Sequence, residues 1–236
     1  LEEPPEFVHL ILLSSEPAGL LETIASRCQP VDFAPLPIEA VEAALREGDP
    51  EEIAAVARLA AGDVELARFL LGERGREVRA QAERLAAAAP ADDDAEGDPP
   101  WRPLLRAAEQ AGEDAEAAAR EALEAEKEAG LKRSAREVAD QAKRAGRRRR
   151  TELLDLGLSL AALWYRDLAA IAAGAPDVAY NRDRLAQLEA RAAGLDPVRP
   201  RRAAELVQDT RRRLELNVSE ELALEALLVR LHRLLA

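Results

Sequence analysis

Between Thr151 and Ala173, Leu153, Leu156, Leu160, Leu163, Trp164, Leu168 and Ile171 keep helical spacing. Steps of three and four residues place them on one face of an α-helix. Gly174 to Pro176 ends the stretch. A stripe this apolar needs other helices to cover it, so the chain must build a helical bundle around it. The wider composition agrees. Hydrophobic residues make up 48% of the 236, enough for a sizeable core, while aromatics are only 3% and Ala and Leu dominate, which favours helix over sheet.

Helix signals recur along the chain. Ile38, Val41, Ala44 and Leu45 form a stripe that follows Pro37 and stops before Gly48. Asp49 is a good N-cap, with Pro50 at the first helical position and Glu51 and Glu52 in the first turn. Ile53, Val56, Ala57 and Ala60 face inward there, and Gly62 closes the helix. Asp63 caps a third helix with Leu66, Phe69 and Leu70 inside. Residues 74–89 read as a helix around Val78 and Leu85. Residues 90–100 are acidic and proline-bearing, a solvated loop. Trp101, Leu104 and Leu105 open the next helical region, and Ala115 to Ala129, rich in Ala and Glu, is expected to be half exposed. Asn181 is expected to cap a helix containing Leu185 and Leu188. Pro197 and Pro200 precede a helix with Leu206, Val207 and Leu214. The last helix is capped around Asn217 to Ser219, begins with Glu220 and Glu221, and ends in Arg230, His232 and Arg233, an order that suits the macrodipole. Leu224, Leu227, Leu228, Leu231 and Leu235 are its inner stripe.

The first thirty-odd residues read differently. Val8 to Leu13 is a short apolar run without alternation, expected to be a strand buried on both faces. Ser14 and Ser15 would sit at its C-terminal edge, where open parallel sheets place ligand sites. Pro17 ends the strand, Leu20 to Ala25 make about one helical turn, and Arg27 follows on an exposed loop. Val31 to Phe33 could add one more short strand.

Several chemistries find no support. The net charge is -12, so the chain as a whole should not attract nucleic acid electrostatically. The single cysteine, Cys28, rules out an internal disulfide and fits a reducing cytosol. No signal peptide and no apolar run of membrane-spanning length is visible. His9 and His232 lack a second ligand at metal spacing, so no metal site is expected. Ser14, Ser15 and Ser26 lack a His/Asp partner set for nucleophilic work. The phosphate-loop pattern G-x-x-x-x-G-K-[ST] occurs nowhere, and no nucleotide cofactor is expected in this chain itself. Arg147 to Arg150 reads either as a contact for DNA or an acidic partner or, as the negative net charge favours, as a solvated helix start balanced by nearby acids, and the same two readings apply to Arg199, Arg201-Arg202 and Arg211-Arg212-Arg213.

Leu1-Glu2-Glu3-Pro4-Pro5, the apolar run, Ser14-Ser15 and Ser26-Arg27-Cys28, in that order, resemble the C-terminal part of the AAA+ module in bacterial DNA polymerase III clamp-loader subunits. Leu216-Asn217-Val218-Ser219 before the last helix resembles the end of the same subunits. The resemblance implies a mainly α fold: a small α/β remnant of an AAA+ module at 1–35, a three-helix lid at 36–73 and a C-terminal helical collar bundle for oligomerisation at 74–236. It implies a fragment of a longer protein lacking the phosphate-loop half. Ser14 and Ser15 would be the sensor-1 pair. Arg27, flanked by Ser26 and Cys28, would be the arginine finger, supplied in trans to ATP and Mg²⁺ bound by a neighbouring subunit. The family's hydrolysing members carry a sensor-2 arginine in G-S-x-R-x-A. Here the stretch is Gly62-Asp63-Val64-Glu65-Leu66-Ala67, with Glu65 at the arginine position and Arg68 three residues late. That departure makes the chain most like the delta-prime subunit, with no intrinsic activity of its own within the polymerase III holoenzyme, a nucleotidyltransferase. Partners would be gamma/tau and delta, and through the assembled complex the sliding clamp and primer-template DNA, in the cytoplasm and away from membranes. A gamma/tau-type or other AAA+ ATPase fragment, or a helical scaffold unrelated to replication, are the alternative readings.

Overall fold

The computed structural model describes residues 7–14, 19–45, 48–88, 98–130, 132–216 and 218–235. Leu1 to Pro5, Ser15, Pro17, the acidic stretch 90–97 and Asn217, all singled out above, lie outside them. The chain divides into two compact units, Leu1–Pro35 and Leu36–Ala236.

In the first unit α1 is a single turn, Glu22–Ala25, where one helical turn was expected. The expected strands are absent: Val8 to Leu13 and Val31 to Phe33 have no strand structure, and none forms among the described residues. A strand exists only as a member of a hydrogen-bonded ladder, and the described residues supply none. The run expected to be buried on both faces is instead open to solvent, with Ile11 85% and Leu13 91% exposed.

The second unit is entirely helical in its regular structure. Its elements are α2 (Ile38–Ala44), α3 (Pro50–Leu59), α4 (Val64–Leu71), α5 (Glu73–Ala88), α6 (Arg102–Glu128), α7 (Ala135–Ala172), 3-10 turns at Pro176–Val178 and Arg182–Arg184, α8 (Leu185–Ala192), α9 (Val198–Leu214) and α10 (Glu220–Leu235). The caps follow the sequence. The Asp49 carboxylate accepts from the Glu52 N–H at 3.1 Å and the Asp63 carboxylate from the Leu66 N–H at 3.0 Å, each satisfying an orphan donor of its helix. The turn between α3 and α4 closes through Ala61 and Gly62, both at positive φ (48° and 95°). Gly62 adopts this at little cost, and the strain falls on Ala61.

The apolar stripe of residues 151–173 belongs to a longer helix than its own pattern shows. α7 begins at Ala135, about 57 Å from its far end at the usual rise per residue. Ser134 and Glu137 form a capping box: the Ser134 Oγ accepts from the Glu137 N–H at 3.2 Å, and the Glu137 carboxylate accepts from the Ser134 N–H at 2.7 Å. That backbone bond, with help from the Ser134 hydroxyl, holds the Glu137 carboxyl below its usual range. Arg147 to Arg150 therefore lie within the helix, not at its start. α7 packs against α5, α6, α8 and α9, and α10 packs on α9. Leu154, Leu158, Trp164 and Tyr165 are buried among neighbours such as Leu70, Leu85, Leu104 and Leu105. The Tyr165 hydroxyl donates to the Ala86 carbonyl at 3.0 Å, and burial raises its pKa.

α6 and α7 cross at two glycines. A Cβ on Gly146 would lie 2.8 Å from the Gly112 carbonyl oxygen, and one on Gly112 would lie 2.9 Å from the Gly146 carbonyl oxygen. The blocking atoms are backbone, so the helices themselves would have to part. Gly146→Ala gains about 1 kcal/mol of helix propensity. Overpacking costs roughly 1–3 kcal/mol. The variant is expected to melt several degrees lower by circular dichroism; a higher melting temperature would show that the crossing tolerates a methyl group.

Candidate functional site

Of the residues singled out in the first unit, Ser26, Arg27 and Cys28 lie on one turn. α1 ends at Ser26 in αR conformation, with its N–H bonded to the Glu22 carbonyl. The next two amides continue the winding: Arg27 N–H to the Ile24 carbonyl at 3.1 Å and Cys28 N–H to the Ala25 carbonyl at 3.2 Å. The Arg27 guanidinium reaches back along this turn and donates to the Thr23 carbonyl at 2.8 Å, one of the carbonyls a helix end leaves unsatisfied. Ser26, Arg27 and Cys28 are all exposed, and Cys28 is a free thiol. Ser14 is exposed at the end of the 7–14 stretch, and Ser15 lies outside the described residues. Chemically the turn presents one permanently charged planar fork, suited to two oxygens of a phosphate or carboxylate. Among the described residues no group of His, Cys, Asp and Glu could hold a metal ion.

In α4, Glu65 and Arg68 form an ion pair on an exposed face. The glutamate and the late arginine thus neutralise each other on the surface.

The arginine clusters divide. Arg148 pairs with Glu152 at 2.7 Å, and Arg149 lies 5.4 Å over the Phe69 ring. Arg150 binds Glu220 and also reaches Glu109 at 3.2 Å, tying α7 to α10 and α6. Arg211 makes a two-pronged bond to Asp155, both contacts 2.7 Å, tying α9 to α7. Arg212 and Arg213 pair with Asp209, and Arg201 with Glu205. The expectation of arginines balanced by acids holds for these. Arg147, Arg199 and Arg202 make no ion pair among the described residues.

A buried polar network escaped the sequence reading. The Asp167 side chain is 0% exposed, yet one carboxylate accepts from the Tyr180 N–H (2.9 Å), the Asn181 N–H (2.8 Å) and the Asn181 side-chain amide (2.8 Å). Asn181 in turn accepts from Arg79 at 2.8 Å, and Arg79 grips Asp183 with two bonds of 2.7 and 2.8 Å. Glu83 and Arg184 complete the cluster. Asn181, expected to cap a helix, stands before a 3-10 turn without a capping bond and spends its amide inside this network instead. The network fixes α5, α7 and the 180–184 segment to one another. α3 also packs on that segment, and Arg76 of α5 binds Glu52 of α3 through two bonds of 2.7 and 2.8 Å. This bond is the main cause that keeps the Glu52 carboxyl below its ordinary range. α2 to α4 are therefore attached to the longer helices through side chains as well as through the chain.

Residues 1–37 match a family described as DNA polymerase III, delta subunit. No curated protein and no solved structure matches the chain. The matched stretch contains the Ser14-Ser15 pair and the Ser26-Arg27-Cys28 turn, and it supports a family of the DNA polymerase III clamp-loader type, with a role in DNA replication. No helix among the described residues is long and apolar enough to cross a membrane.

Proposed function

We propose that the chain is a delta-prime-like subunit of the DNA polymerase III clamp loader, which joins gamma/tau and delta and offers Arg27 to ATP bound by a neighbouring subunit during loading of the sliding clamp. In this reading residues 1–35 end an AAA+ α/β domain, 36–73 are its lid and 74–236 the collar. The observation that carries it is the exposed Ser26-Arg27-Cys28 turn inside the stretch that matches the family. Glu65, paired with Arg68 and standing where the family's hydrolysing members carry the sensor-2 arginine, favours the non-hydrolysing role.

The collar role is supported by α10. Leu224, Leu227 and Leu231 are buried, whereas Leu222 is 64% and Val229 43% exposed, with Ala226 between them, also exposed. At helical spacing these three share the face opposite the core. A helix apolar on both sides has one side left for another chain. Mixing the purified chain with gamma/tau and delta, followed by size-exclusion chromatography and analytical ultracentrifugation, tests the proposal. The wild-type chain is expected to co-elute. The Leu222→Glu/Val229→Glu variant should keep its helical spectrum and bind at least tenfold more weakly, since a lost interface anchor costs roughly 2 kcal/mol. A wild-type chain that never joins gamma/tau and delta would overturn the assignment.

A further inference from the structure

The distal part of the α6–α7 pair is sorted by charge. The α6 side carries the exposed acids Glu113, Glu121, Glu124, Glu126 and Glu128 against two exposed cations, Arg120 and Lys127. On α7, Arg136, Lys143, Arg144, Arg147 and Arg148 are all exposed. At about 100° per residue these five fall within an arc of roughly 140°. The buried residues Val138, Ala142 and Gly146 lie on the other side. The stripe runs about 18 Å along the helix. It contains two acids, Glu137, which is engaged in the capping box with Ser134, and Asp140, 3.8 Å from Arg136, and Arg148 is held by Glu152. Lys143, Arg144 and Arg147 make no ion pair among the described residues, although acids line the adjacent helix.

We propose that this face of α7 docks the phosphate backbone of double-stranded nucleic acid. The stripe has no exposed large apolar residue between Arg136 and Arg148. Protein partners are usually held by buried aromatic or aliphatic anchors, and membrane-surface helices by an inserted apolar face, and this face has neither. It has no aromatic ring on which an unpaired base could stack. What it offers is a row of cations alone, the chemistry that neutralises phosphates without reading sequence. Its length matches about five phosphates at 3.4 Å per strand. The acidic α6 would repel a duplex, so the hairpin would meet it with α7 foremost. The chain's net charge of -12 opposes binding less than it suggests, because charges more than about 10 Å away are screened at 0.1 M salt. This proposal does not depend on Arg27 or on the α10 contact.

The test is fluorescence anisotropy of the full chain with a labelled 20-base-pair duplex of arbitrary sequence, at 50 to 200 mM NaCl. Three phosphate contacts predict a slope of log K on log salt near -2.7, a roughly 40-fold loss over that range. Lys143→Gln/Arg144→Gln/Arg147→Gln should weaken binding at least tenfold at 50 mM and bring the slope towards zero, with an unchanged circular dichroism spectrum. Arg201→Gln/Arg202→Gln should bind as the wild type. The proposal fails if the wild type does not bind the duplex below 100 μM at 50 mM, or if the triple variant binds equally well. It fails also if a polyglutamate peptide of equal charge, or vesicles rich in phosphatidylserine, compete better than unlabelled duplex.

Discussion

Asp167→Ala is expected to lower the unfolding free energy by about 3–5 kcal/mol, the cost of removing one partner from a buried charged network. The carboxylate accepts three N–H bonds with no exposure to water. Alanine leaves those donors in the interior, and each unsatisfied donor costs about 1–3 kcal/mol. The loss then spreads, because Asn181 positions Arg79 and Arg79 holds Asp183. Asp167→Asn keeps one acceptor oxygen but turns an amide nitrogen toward a backbone donor, so it should fall between alanine and wild type. Urea unfolding followed by circular dichroism measures both. An alanine variant within 1 kcal/mol of wild type would mean that the segment from Tyr180 to Asp183 is not held by this carboxylate.

Arg27→Ala is expected to leave the subunit folded and the clamp loader assembled, while ATP turnover at the neighbouring gamma/tau site drops about 10³-fold, the lower end of the range for an arginine supplied in trans. The side chain is exposed and bonds the Thr23 carbonyl, which water can satisfy when the guanidinium is gone. The stability change should therefore stay within about 0.5 kcal/mol. Arg27→Lys should restore little, because an ammonium cannot bind two phosphate oxygens as a planar fork. Steady-state ATPase assays with clamp and primed DNA read the effect. Assembled loaders carrying Arg27→Ala that turn over ATP at the normal rate would exclude the trans role.

The helices were legible because their signals are local. Asp49, Asp63 and Ser134 cap where a short polar acceptor precedes a periodic stripe, although the sequence reading found only the first two. The length of α7 was hidden because residues 135–150 carry few large apolar side chains. Their packing is done by Val138, Ala142 and Gly146, and small residues leave almost no amphipathic trace. The strand reading failed at Val8 to Leu13 for a converse reason. The composition suits a buried strand, but pairing is a property of the neighbours and not of the segment. The buried network was out of reach, since Arg79 and Asp183 stand 104 positions apart and neither differs in sequence from an ordinary surface charge. The turn at Ser26 to Cys28 was legible as an exposed loop after a short helix. Its suggested role came from the resemblance and not from the residues alone.

The Arg79–Asp183 bond also has an order in time. Synthesis at 5–20 residues per second separates the appearance of the two residues by about 5–20 s. Helices of this length form in microseconds, so α5 is wound long before its partner exists. Until then the Arg79 guanidinium keeps its water, because burying an unpaired cation is too costly. Nascent α5 therefore stays undocked on this side. Arrival of residues 180–184 lets the arginine enter, and closing of this cluster is a late event in the vectorial folding of the chain.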